Sequence, residues 1–162
     1  MPTDSLGQVL NLYISVGGEE KRIQKEMLQI DALGVVDDKF YSKDENRAIL
    51  ITSIASYKLA KENSIELANG LLGENIIIDY NPYCLNARDR FLIGEVELEI
   101  TQNCTLCNGL SKVNSKLPKL LKHGRGVFAK AIKSGRIKIG DKVRALTTYT
   151  KRTPNEKTTT LS

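Results

Sequence analysis

The chain has no tryptophan, a single histidine, only three cysteines and four prolines, and aromatic residues make up 6% of its 162 positions. Each scarcity closes a route. Without tryptophan and with few rings there is little to stack single-stranded bases on, so nucleic acid is not an expected partner. One histidine, His123, leaves no Ser/His/Asp set to recognise, and no Gly-rich phosphate loop is present either. An odd, small number of cysteines argues against a disulfide scaffold and for metal or redox use. No apolar run is long enough to cross a bilayer as a helix, so no membrane partner is expected. The opening Met1-Pro2-Thr3-Asp4-Ser5 lacks a basic stretch followed by an apolar one, and the expected location is cytoplasmic.

What is present describes an ordinary globular protein, with 41% hydrophobic and 27% charged residues and a net charge of +5. Basic residues gather late, from Lys112 through Arg125 and Lys130 to Arg144. Most of these lysines are expected simply to be solvated. The excess still suits an anionic cofactor or small-molecule substrate.

Periodicity predicts strands over residues 7–16, 48–51, 76–78, 90–93, 96–101 and 142–148. Residues 22–31 read equally as helix or strand. Thr52 or Ser53 can cap a helix running to about Asn63. Leu110, Val113, Leu117, Leu120 and Leu121 fall at helical spacing, with Pro118 expected to kink or interrupt the helix and His123-Gly124 to end it. A further short helix is predicted over residues 127–133. Many short strands with a few short helices between them predict a mainly β fold with α elements, a β-barrel with short peripheral helices. Residues 1–149 are expected to form one domain, and the polar residues 150–162 a disordered tail.

The most informative stretch is Cys104-Thr105-Leu106-Cys107, which follows the alternating strand Val96, Leu98, Ile100 and leads into the helical pattern. A strand that ends in a thiol presents it for chemistry, since nearby cations or helix amides lower a thiol's pKa. Zinc, a paired dithiol, a single working thiolate and a buried structural thiol all compete. Zinc needs about four ligands, and only Cys84 and His123 remain to supply them. Elsewhere, Arg125-Gly126 before the predicted helix, with Lys130 a turn later, makes a candidate anion seat. Glu74 and Asn75 after Gly73 could orient a ligand.

The order of these pieces carries more than any one of them. Arg47-Ala48-Ile49-Leu50-Ile51, Gly73-Glu74-Asn75 and the hairpin about Gly94 precede the cysteines. Arg125-Gly126-Val127-Phe128-Ala129 and Gly135-Arg136-Ile137-Lys138-Ile139-Gly140-Asp141-Lys142-Val143 follow them. This order resembles the MOSC domain, named for the C-terminal part of molybdenum-cofactor sulfurases, and in particular its small stand-alone bacterial members. The resemblance runs from about Gly7 to Leu146 and is strongest from Gly73 onward.

The resemblance implies a MOSC-type β-barrel with peripheral helices and a cleft holding a reactive cysteine. Cys107, with Leu110 after it, matches the family's cysteine, and Cys104 is auxiliary. Members are thought to carry sulfur as a persulfide, or to hold molybdenum through this thiolate and reduce N-hydroxylated compounds. The implied cofactor is therefore molybdopterin-type, with Cys107 as metal ligand and Arg125, Gly126, Lys130, Arg47, Glu74 and Asn75 as cofactor-binding residues. Pyridoxal phosphate would enter only through a separate cysteine desulfurase, and an electron-donor protein is the other implied partner. If an enzyme, the chain would be a molybdenum-dependent oxidoreductase or sulfur-transfer protein. The readings from another class are a non-catalytic basic barrel that binds an anionic partner, and a CxxC dithiol redox protein. One departure stands out: where the family carries Gly-x-x-Gly-Asp, a basic residue and His, this chain reads Gly34-Val35-Val36-Asp37-Asp38-Lys39-Phe40.

Overall fold

The computed structural model describes residues 2–16, 22–80, 82, 86–103, 114–121 and 126–146. Among the described residues eleven strands run in chain order: β1 (Pro2–Ser15), β2 (Arg22–Lys25), β3 (Met27–Asp31), β4 (Gly34–Val35), β5 (Ile49–Ser53), β6 (Ile76–Ile78), β7 (Arg90–Ile93), β8 (Val96–Asn103), β9 (Val127–Lys133), β10 (Gly135–Lys138) and β11 (Lys142–Leu146). Among the described residues the α-helices are α1 (Ile54–Glu62) and α2 (Leu117–Leu120). A 3-10 turn, Glu45–Arg47, precedes β5.

Seven strands close into a barrel in the order β11, β7, β8, β9, β5, β6, β1, with β1 returning to β11. Closure removes the exposed edges that an open sheet must protect. The long β1 achieves it by changing partner along its length. Its start pairs with β11, Val9 to Leu12 with β6, and Leu12 to Ser15 with β2. Irregular register at Ser5, Gly7 and Val9 to Asn11 accommodates the change. A small second sheet, β10-β3-β4, lies beside the barrel.

The one parallel pairing among the described residues, β5 with β6, requires a crossover, and α1 lies within it. Ser53 starts that helix by accepting the amide of Ala55 through its hydroxyl. Ile76 and Ile78 face the barrel interior with Val9, Leu12, Ile51, Leu98 and Ile100, while Ile77 packs outward with Tyr57, Ala60, Leu117 and Leu121. A strand buried on both faces explains three successive isoleucines, each contributing roughly 1.5–3 kcal/mol of burial.

Two sequence expectations are corrected. Residues 127–133 are a strand, not a short helix. Val127 and Ala129 are buried inside the barrel and Phe128 packs on Leu50 outside it, a period of two that cross-strand pairing to β5 and β8 enforces over alanine's helix propensity. Pro118 does not kink a helix; it sits in the first turn of α2, where its missing N–H costs nothing. The ambiguous residues 22–31 resolve as β2 and β3. The predicted turn at His123-Gly124, the tail from residue 150 and the helical spacing at Leu110 and Val113 lie outside the described residues.

Candidate functional site

On the outer face of the barrel, Leu50 of β5 stands opposite Phe128 of β9 in register, and the two form their own apolar cluster. A cleft of about 640 Å³ opens above them. The segment 39–48 supplies Lys39, Phe40, Lys43, Asp44, Arg47 and Ala48, the loop after α1 supplies residues 70–73, and Ser15, Arg22 and Asn75 complete the lining.

The segment 37–47 is held firmly in place. Asp38 is buried, and its carboxylate accepts the backbone amides of Ser15 (2.7 Å) and Phe40 (3.0 Å) and the Nδ2 of Asn75 (3.3 Å). The Lys39 amide donates to Ser15 O at 2.7 Å. Asp44 caps the 3-10 turn by accepting from Asn46 N at 2.9 Å, and Thr101 of β8 donates to Asn46 O at 2.5 Å. Asp37, standing where the family pattern has its second glycine, has φ of 74°. Aspartate is among the few side chains that enter the left-handed region.

Beneath the cleft lies a buried polar knot around Glu74, which is fully buried. Its Oε2 accepts from Thr52 Oγ1 at 2.7 Å and from the Tyr57 hydroxyl, which itself accepts from the amide of Gly70. Arg22 donates through Nη1 to Ser15 Oγ and through Nη2 to the carbonyl of Glu74. Burial, then the charge of Glu74 and the hydrogen bond to it, push the Tyr57 phenol far above its ordinary pKa, so it stays a donor. Burial pulls Arg22 downward, with Asp38 and Glu74 acting against that pull. Glu74 Oε1 and Arg22 Nε are buried without a hydrogen-bond partner among the described residues.

The cations above this knot are differently placed. Arg47 lies over the Phe128 ring, 5.0 Å from its centroid, and Lys39 lies 5.0 Å from the centroid of Phe40. Among the described residues neither these two nor Lys43 forms an ion pair with a carboxylate. Arg22, Lys39, Lys43 and Arg47 thus meet only Asp44 as an acidic lining residue. Such a cleft attracts an anion and, having low-dielectric walls, concentrates its field.

The expected site residues fall into three groups. Arg47 and Asn75 come together in the cleft, with Glu74 directly beneath. Asn75 is largely occupied by the fold: its Oδ1 accepts from Leu50 N and its Nδ2 donates to Tyr13 O and Asp38. Gly126 (φ 151°) lies against the same wall, where an added Cβ would stand 3.0 Å from Leu50 Cδ1 and 3.2 Å from Ile51 O. Lys130 is not among the cleft's residues; it pairs with Glu99 at 3.8 Å on β8. Because residues 127–133 are a strand, no helix N-terminus stands there to seat an anion. Cys104, Cys107 and Arg125 lie outside the described residues. Asn103, the last described residue before Cys104, pairs with Val127, next to the cleft residue Phe128. Among the described residues no group of three His, Cys, Asp or Glu side chains could hold a metal ion.

Arg22, Phe40 and Lys43 were not among the expected site residues, because Arg22 lies some twenty positions before the other two and only the fold brings it beside them. The available signal was a lone phenylalanine in an otherwise polar stretch.

The MOSC domain profile matches residues 37–144, about two thirds of the chain. The chain belongs to the MOSC domain family. Its fold is similar to that of the YuaD protein from Bacillus subtilis, with a TM-score of 0.77 and 16% identity over 90% of this chain and 100% of that one. It is similar also to YiiM from Escherichia coli (TM-score 0.62, 18% identity, 86% of this chain and 69% of that one). YiiM from Geobacillus stearothermophilus gives 0.59 and 14%, over 87% and 73%. No curated protein matches the chain. At these identities the likeness is one of fold, and the closed barrel with short helices is the MOSC architecture. No helix among the described residues is long and apolar enough to cross a membrane.

Proposed function

We propose that this MOSC-domain protein binds a molybdopterin-type cofactor in the cleft, with Cys107 as metal ligand or sulfur carrier and Cys104 as its auxiliary. The observation that supports this best is that Lys39, Lys43 and Arg47, without carboxylate partners among the described residues, line a cleft of about 640 Å³ near Asn103, the last described residue before the cysteines. The residues fit the organic part of such a group. Lys43 and Arg47 would hold its phosphate through charge-assisted hydrogen bonds, and Leu50, Leu72 and Phe128 would exclude water from one wall. For the metal the fitting donor is the soft thiolate of Cys107. When bound, the group would supply two-electron redox chemistry for reduction of an N-hydroxylated compound; in the sulfur-carrier alternative the Cys107 thiolate itself would accept sulfane sulfur from the persulfide of a desulfurase, whose cysteine leaves as thiolate. Arg22, restrained by Ser15 and the Glu74 carbonyl, keeps a fixed positive charge at the base of the cleft.

The test is elemental analysis of protein produced with molybdate, together with mass spectrometry for a sulfur adduct on Cys107. Molybdenum is expected in the wild type and in Cys104→Ser, and is expected to be absent from Cys107→Ser. Metal retained in Cys107→Ser overturns the ligand role. Anion binding that survives loss of both cysteines, in a protein that takes up neither molybdenum nor sulfur, returns the function to a non-catalytic binding module.

A further inference from the structure

A second groove, of about 920 Å³, lies between α1 and the chain that returns from it, and shares only Leu71 with the cleft among the described residues. On the helix side it is lined by Ile54, Tyr57, Lys58 and Lys61, which the 3.6-residue repeat puts on one face. The opposite wall is set by the way the helix stops. The Ile65 amide donates to Ala60 O at 2.9 Å and the Ser64 amide to Lys61 O at 3.0 Å, the paired bonds of a Schellman stop. Ser64, at φ 61°, occupies the left-handed position where glycine is usual, so a hydroxyl stands at the rim at a cost in backbone strain. Ile65 and Tyr57 are buried and form an apolar floor, with Ile54 and Leu67 half-buried beside them.

The charge on this groove is one-sided. Lys58 and Lys61 are three positions apart on the helix, close enough to repel, and neither forms an ion pair among the described residues. Lys61 suits the carbonyl end of α1, but Lys58, nearly a turn earlier, has no such reason to be basic. Glu66 is the one acid among the described lining residues, and it pairs with neither lysine. We propose that this groove binds an alkyl chain ending in a carboxylate. The head would lie between Lys58 and Lys61, accepting from the Ser64 hydroxyl, and the chain would cover Ile54, Ile65 and Leu67. Residues 54 to 61 rise about 10 Å along the helix, which gives an extended chain its length, and the volume falls in the range of small-molecule pockets.

The proposal needs neither the cysteines nor the cations of the cleft. The experiment titrates the full chain with octanoate, acetate and 1-octanol by calorimetry, using wild type, the double variant Lys58→Ala/Lys61→Ala, Leu67→Gln, Ser64→Gly and Arg47→Ala. Wild type is expected to bind octanoate about fiftyfold more tightly than acetate, the factor given by burying half of its six further methylenes. It is expected to bind octanoate about fivefold more tightly than 1-octanol, the scale of two exposed charge contacts. The double lysine variant is expected to lose the preference over 1-octanol and keep its affinity for that alcohol, whereas Leu67→Gln weakens both. Ser64→Gly is expected to raise the urea midpoint, because the strain is relieved, and yet to weaken octanoate. Arg47→Ala is expected to leave octanoate binding unchanged. Absence of octanoate binding by wild type, which is also the result if another segment of the chain fills the groove, overturns the proposal. So does equal binding of octanoate and 1-octanol, or binding that is lost in Arg47→Ala and untouched in the double lysine variant, which would put the chain in the cleft.

Discussion

The strands β7, β8 and β9 carry a charged ladder on their outer face, and the cleft beside β5 carries another set of charges. In the ladder Arg90 bonds Glu97 at 3.2 Å and Glu99 at 3.0 Å, while Lys130 reaches Glu99 at 3.8 Å. These side chains settle one another's charge across neighbouring strands, partly exposed and open to screening by salt. In the cleft the acids have gone inward and the bases outward. Glu74 and Asp38 are buried and bound by hydroxyls and amides, and Lys39, Lys43 and Arg47 remain without carboxylate partners among the described residues. Cations satisfied within the fold contribute a little stability; cations kept unsatisfied are available to a ligand.

The sharpest way to break this contrast is to remove the buried acid. Glu74→Ala leaves the Thr52 and Tyr57 hydroxyls without their shared buried acceptor, while Arg22 keeps its bond to the backbone carbonyl at position 74, and it is expected to cost about 1–3 kcal/mol for each hydroxyl, read by urea unfolding. A loss below about 1 kcal/mol would mean that the knot is not a structural base for the cleft.

A smaller effect is expected for Tyr57→Phe, which removes a bond to a charged group worth about 1.5–3 kcal/mol. This variant also tests the sign of the titration. The phenol's pKa is raised in the fold, so the unfolded chain loses its proton first. The contribution is therefore intact below the ordinary tyrosine value of about 10 and declines above it. Stability of the wild type should fall more steeply above that pH than stability of Tyr57→Phe. Parallel alkaline limbs would show that the phenol does not titrate differently in the two states.

The mildest change sharpens the comparison at the ladder. Lys130→Ala is expected to alter stability by about 0–1 kcal/mol and to leave phosphate binding unchanged, whereas Arg47→Ala leaves stability nearly intact and weakens phosphate binding about tenfold. Equal effects of the two substitutions on binding would restore the anion seat to Lys130.

Much of the barrel could be read from local pattern. Val96, Leu98 and Ile100 alternate as a half-buried strand should, Ile76 to Ile78 read as a strand buried on both sides, and Ser53 announces α1. The failure at residues 127–133 has a specific cause. Val-Phe-Ala-Lys-Ala-Ile-Lys suits either a helix or a strand, and the choice depends on β5 and β8, which are distant in sequence. The site divides along similar lines. The order of short motifs singled out Arg47, Glu74 and Asn75, which the fold places in one cleft or beneath it, but it carried no sign that Glu74 is buried while Arg47 lines the open cleft. Burial is a property of what packs around a residue, and a charged residue in sequence carries no mark of it.

By itself, then, the sequence determined the family and the strands of clearest alternation, β8 above all, because period-two hydrophobicity and motif order are local or linear properties. Only the tertiary structure decided that Arg22, Phe40, Lys43 and Arg47 share one cleft while Lys130 spends its charge on Glu99. Barrel closure and strand register bring residues tens of positions apart side by side, and set which face of each strand meets solvent.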